Sequence, residues 1–205
     1  MKVQRGLFID FEDFQRNFND DDRAIKELSS NLGTQFKLFT FIDCPKEKQA
    51  ELKYMEKESR KMFYHASLML AAREREIKRK DMLKELHLGN SIITLNYCFD
   101  KIAKLICPDL DLSFAKQLFR GAIRPDIVIY QDKESCSYQE LFSDYSFFHK
   151  VDDDKENMIL NYVDDLCTIY NNIKDKYRNG SGRDNYKINY YPNSIGEDLF
   201  INWPS

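Results

Sequence analysis

Short runs of consecutive apolar residues alternate along this chain with longer stretches in which apolar residues recur every three or four positions. Runs at residues 7–11, 36–41, 92–95, 125–130 and 186–191 have strand length. Between them, helical spacing predicts a helix from the Asp20-Asp21-Asp22 run to about Leu32, with Ile25 and Leu28 inward and Gly33 as its stop. Residues 46–88 are charged and almost free of breakers. They predict a short helix and then a long one, with Phe63, Leu68, Met69 and Ala72 at helical spacing and Gly89 at its end. Further helical pieces are expected at 99–107 and 113–122. A long helix at 153–177 carries Ile159, Tyr162, Val163, Leu166, Ile169, Tyr170 and Ile173 as one stripe, and a capping box at 194–197 opens a last short helix. Strands separated by helices imply crossover connections and a parallel sheet, and right-handed crossovers place helices on both faces. The expectation is one α/β domain over residues 1–205, a three-layer sandwich with a five-stranded parallel sheet flanked by helices.

Composition narrows the classes of function. A net charge of −3 argues against a protein that coats nucleic acid. No apolar run approaches the length of a membrane helix, and the first residues do not read as a secretion signal. The five cysteines include no C-x-x-C pair, so reduced thiols and a cytoplasmic location are expected. Cys98, Cys107 and Cys167 read as core fillers. The three histidines are scattered, and the acidic runs at 20–22 and 152–154 read as solvated helix starts, so no metal or cofactor is expected. The block from Arg73 to Lys80 alternates in sign and reads as a solvent-facing helix laced with i,i+4 pairs. Lys78, Arg79 and Lys80 form its most basic point and a candidate for minor contact with nucleic-acid phosphate. The 15 Phe and 12 Tyr exceed the needs of one sheet core, which makes Phe147, Phe148, Tyr190, Tyr191, Phe200 and Trp203 candidate interface aromatics.

In a parallel α/β sheet the turn after the first strand is where backbone N–H groups and a helix dipole meet a phosphate. Here Arg5-Gly6, the strand and Phe11-Glu12 lead into that turn, and the chain resembles the thymidylate kinase family, whose members open with Arg-Gly, a strand, Phe-Glu-Gly and a phosphate loop. The resemblance covers about residues 5–190 and implies a P-loop-kinase-like fold. Asp13 stands at the first loop Gly, Phe18 at the second, Asn19 at the Lys and Asp20 at the Ser/Thr. The acids there oppose a polyphosphate, so the turn is read as structural, with Asn19 or Asp20 capping the first helix. Ile42-Asp43-Cys44 replaces the family's Pro-x-Arg segment. Ala72-Arg73-Glu74-Arg75-Glu76 resembles the helix that reads the base, with Arg73 or Arg75 as the base-contacting arginine. Asn96-Tyr97-Cys98 stands where the family has an acceptor-binding Asp-Arg-Tyr. Arg124-Pro125-Asp126-Ile127-Val128-Ile129-Tyr130 is similar to the family's Lys-Pro-Asp-Leu-Val-Ile-Phe, and the segment 131–138 that should supply lid arginines has none.

These departures remove donor loop, acceptor contacts and lid together, while phosphoryl transfer depends on placed cations and magnesium. The expectation is a catalytically inactive, thymidylate-kinase-like pseudoenzyme, not an enzyme. It would act as a structural or protein-binding subunit of a larger assembly, with a ribosome or another ribonucleoprotein as one setting. The family's dimerisation implies a homodimer through the long central helix. The alternatives are a non-catalytic nucleotide-binding sensor and, last, a divergent thymidylate kinase.

Overall fold

The computed structural model describes residues 6–12, 18–42, 44–97, 112–130, 147–150 and 159–178. All strands pair in parallel: β1 (Phe8–Glu12), β2 (Phe36–Phe39), β3 (Ser91–Leu95), β4 (Ile127–Tyr130) and β5 (Phe147–Lys150), in the spatial order β2-β3-β1-β4-β5. Four of these lie where the apolar runs predicted strands. The edge beside β4 belongs to Phe147–Lys150 and not to the predicted strand at 186–191, which lies outside the described residues. Phe147 and Phe148, candidate interface aromatics, are residues of this edge strand.

The central strands are apolar on both sides because both are covered. On one face Leu7, Ile9, Phe11, Ile93, Ile127 and Ile129 meet α1 (Phe18–Leu32) and α5 (Val163–Arg178). The predicted stripe on α5 and the 3-10 turn before it, from Ile159 to Tyr170, packs there. On the other face Phe8, Ile92 and Val128 meet α3 (Arg60–His87) and the short α4 (Leu112–Leu118), with α2 (Gln49–Glu58) lying against α3. Connections from β1 and from β3 leave in opposite directions along the sheet, so the switch point lies at the carboxyl ends of these two strands.

The long helix begins at Ser59, whose hydroxyl accepts from the Met62 N–H. It ends at Gly89, at φ 86°, with Gly89 N–H donating to the Leu86 carbonyl and Asn90 N–H to that of Glu85. This reciprocal pattern requires a left-handed residue after the helix. Leu68, Ala71, Arg75, Met82 and Leu86 face the core, whereas Met69, expected inward, is exposed.

Gly6 ties the start of β1 to this corner. Its N–H donates to the Leu86 carbonyl at 2.9 Å, and a Cβ there would sit 1.8 Å from the Asn90 carbonyl oxygen. Because the obstacle is backbone, Gly6→Ala should cost on the order of 3 kcal/mol. Urea denaturation of the variant checks this, and a loss under about 1 kcal/mol would show that the corner yields.

Candidate functional site

The switch point brings together Asp10 and Glu12 of β1, Thr94 of β3, the turn at Asn96 and Tyr97, Arg75 of α3 and Phe41 after β2. Alternation along β1 puts Asp10 and Glu12 on the face of Phe8, toward α3. Asp10 is opposite Thr94 on one side and Val128 on the other. Its carboxylate accepts from the Thr94 hydroxyl at 2.6 Å and from the Tyr97 N–H at 3.2 Å. Both acids are fully buried, and they hydrogen bond to each other, which requires one of them to carry a proton. Burial pushes the Asp10 carboxyl from 3.8 up to about 6, against the hydrogen bonds from Glu12, Thr94 and the Tyr97 N–H and the Arg75 charge.

Arg75 is 1% exposed. Its guanidinium donates to the Ala71 carbonyl at 3.1 Å, to the Asn96 carbonyl at 3.0 Å and to the Tyr97 carbonyl. Phe41 lies 4.7 Å from the guanidinium and Tyr97 5.7 Å, an arrangement suited to cation–π attraction. Asn96 takes φ 54°, which turns two successive carbonyls toward the same cation. Tyr97 is fully buried between Phe8 and Phe41, edge-on to each, and its hydroxyl accepts from the Ile123 N–H at 3.1 Å. The described side chains at this end of the sheet, Asp10, Thr94, Arg75 and Tyr97, are buried and bonded to one another or to main-chain groups.

Several expectations change accordingly. Arg75, a candidate base-contacting residue, is engaged with main-chain carbonyls, and Tyr97 is a core residue. Arg73 points outward and touches the neighbouring Glu74 at 3.6 Å. Asn19 and Asp20 do not cap α1, because the helix already includes Phe18; Asp20 and Asp21 lie in its first turn, where acids complement the dipole. Asp21 is buried rather than solvated, and only Asp22 of that run is exposed. Lys78 is half-buried, donates to the Thr40 carbonyl and stands 5.4 Å from the Phe41 ring. Arg79 pairs with Glu76 at 3.0 Å, and Lys80 is exposed. Burial raises the Cys167 thiol, in keeping with an inert filler. Asp13, Cys98, Cys107, the acidic run at 152–154, residues 131–138, Tyr190, Tyr191, Phe200 and Trp203 lie outside the described residues.

Sequence reasoning missed the burial of Asp10 and Glu12 and named Arg75 for a base contact and not for its place in the core, yet each left a mark. Asp10 and Glu12 share one side of an otherwise apolar strand, and Arg75 occupies the inward line of α3 between Ala71 and Met82. Asp126 is a further structural acid. Its carboxylate accepts from the Phe8 N–H at 2.8 Å and fastens the start of β4 to β1. Among the described residues no group of three or more His, Cys, Asp or Glu is placed to hold a metal, and no helix is long and apolar enough to cross a membrane.

Arg75→Ala removes three donors and leaves Asp10 without its cation, a change expected to cost about 3–5 kcal/mol. Denaturant titration measures it, and a cost under about 1 kcal/mol would overturn the bracing role. The Asp10 carboxyl gives a separate signature. The unfolded chain releases its proton near 3.8 and the folded chain near 6, so the folded state binds more protons between these values and stability falls as pH rises through that window. The decline attributable to Asp10 is on the order of 2–3 kcal/mol. Asp10→Asn keeps an acceptor for Thr94 and Tyr97 and offers Glu12 a donor. It should lose that slope and gain on the parent protein between pH 4.5 and 7, and parallel pH curves would refute the assignment.

No protein-family model matches the chain, and no curated protein matches its sequence. Among solved structures, thymidylate kinase from Candida albicans is similar, with a TM-score of 0.48 and 16% identity over 85% of this chain and 93% of that one.

Proposed function

We propose that this protein is a non-catalytic scaffold: a kinase-like α/β domain that serves as a structural or protein-binding subunit of a larger protein or ribonucleoprotein assembly. The observation that carries this reading is that Arg75 and Tyr97, at the carboxyl ends of β1 and β3, are both engaged inside the protein. A ligand that used the Arg75 charge or the place of Tyr97 would have to free the guanidinium from its main-chain carbonyls or displace the ring from between two others. Asp10 and Glu12 lie beneath the same spot, and their charge opposes phosphate. Phosphoryl transfer needs cations placed on the transferred group, and the two inward cations of α3, Arg75 and Lys78, are both committed to main-chain oxygens.

A second feature supports a role in protein contact. Met62, Met69 and Ile77, spaced by seven and eight residues, lie along one side of α3, and each is more than half exposed. Together with Tyr54 of α2 and Ile42 they are large apolar side chains that the fold leaves outside. This is the face on which a homodimer or a different protein would be held.

A thermal-shift titration with thymidine monophosphate and with ATP and magnesium, alone and combined, tests the reading. No shift up to millimolar ligand is expected. A specific ligand at about a hundred times its dissociation constant would add about 2.7 kcal/mol and raise the midpoint visibly. A shift with the monophosphate would replace the scaffold by a nucleotide sensor, and a shift with ATP would reopen catalysis.

A further inference from the structure

The carboxyl-terminal half of α3 turns a second surface outward. An open groove of about 580 Å³ runs along it, lined by Lys80, Leu83, Lys84, His87 and Leu88, with Glu76 and Arg79 at its upper end. The positions recur at helical spacing, so they form one face about 18 Å long. The charges are unequal. Arg79 is balanced by Glu76, one turn back at 3.0 Å. Lys80 and Lys84 are exposed and form no ion pair among the described residues. Leu88, 63% exposed, and half-buried Leu83 add an apolar floor. On a chain of net charge −3 this concentration of uncommitted cations is local.

We propose that this groove is a docking site for an acidic protein segment carrying apolar anchors. The inference rests on the scaffold reading and assigns that scaffold one partner surface. Charge complementarity selects an anionic partner, and Leu83 and Leu88 select one with an apolar side chain on the same side as its acids. Lys80 and Lys84 are four residues apart, about 6 Å along the helix axis. Two residues of an extended strand advance by about 6.6 Å on one face, so acids at two alternate positions would meet the two lysines in turn and an apolar side chain two residues further on would reach Leu88. Nucleic acid fits less well. Among the described lining residues no aromatic side chain offers a stacking platform for bases, and the acidic net charge opposes a long polyanion.

The test is fluorescence anisotropy with the full-length protein and three labelled probes. One is a peptide of about twelve residues whose alternate positions repeat Glu, Glu, Leu with serines between them; one is the same peptide with lysines for glutamates; one is a single-stranded DNA of similar length. The acidic peptide should bind at micromolar concentration, more weakly at high salt. Lys80→Glu with Lys84→Glu should loosen it at least tenfold, and Leu88→Ser about fivefold. The equal charge change Lys53→Glu with Lys57→Glu, on α2, should leave it within twofold. Circular dichroism and the thermal midpoint establish that the exposed-site variants remain folded. The proposal is overturned if the acidic peptide does not bind, if the α3 and α2 double variants weaken it alike, or if DNA binds more tightly through the same lysines. It is equally overturned if sedimentation shows a dimer that the α3 double variant dissociates, since a second copy would then own the groove. Nucleotide titration separates the two readings. A groove that fails while nucleotides cause no shift leaves the scaffold standing, and a nucleotide shift beside a working groove removes the scaffold alone.

Discussion

A guanidinium cannot give up its proton in a protein, so burying one creates a fixed demand for acceptors. Arg75 makes that demand at the centre of this molecule. It is met by the carbonyls of Ala71, Asn96 and Tyr97, the rings of Phe41 and Tyr97 and the charge of Asp10. Meeting it dictates the path of the chain after β3. Asn96 must enter the left-handed region for its carbonyl and the next to face one cation, and Tyr97 is thereby turned into the core. The Tyr97 hydroxyl reaches the Ile123 N–H and so ties the end of β3 to the approach to β4. One side chain of α3 thus braces the helix layer, the central strand and the crossover on the same face.

The same geometry bears on chemistry. A cation consumed by three carbonyls has little left for a phosphate, and freeing it would strand acceptors in an apolar layer at a cost of several kcal/mol. Beneath it, two carboxyls share a hydrogen bond in place of the apolar side chains that fill the corresponding face of β4. In open α/β sheets the carboxyl ends of the strands at the switch point are where ligands are usually held. Here the described groups at that place, Asp10, Thr94, Arg75 and Tyr97, take their partners from within the protein.

Strands β1 to β4 were legible because doubly covered strands appear as unbroken apolar runs, and α5 because its buried side is unmixed. The edge strand was not legible. Phe147-Phe148-His149-Lys150 is short and half polar, and pairing with β4 sets its state more than its own pattern does. The boundary of α1 was read too late because the acidic run was taken as the cap, whereas the helix starts before it. The interior charges were hidden for another reason. A charge belongs in solvent unless partners are supplied, and the partners of Arg75 lie about twenty residues away, at the end of another element. Only the folded turn brings them together.

Helix α3 separates two kinds of sequence requirement. Its inward line, Leu68, Ala71, Arg75, Met82 and Leu86, is determined by packing and by the cation's acceptors. Its outward residues have no such requirement: Met62, Met69 and Ile77 touch water along one side, and Lys80 and Lys84 are exposed toward the other end. A helix needed only to cover a sheet would be polar all along its outer side. Exposed methionines and lysines on a helix whose inner side is complete contribute little to the stability of the isolated chain. Substitutions outside should therefore leave stability almost unchanged, whereas substitutions inside act on the fold.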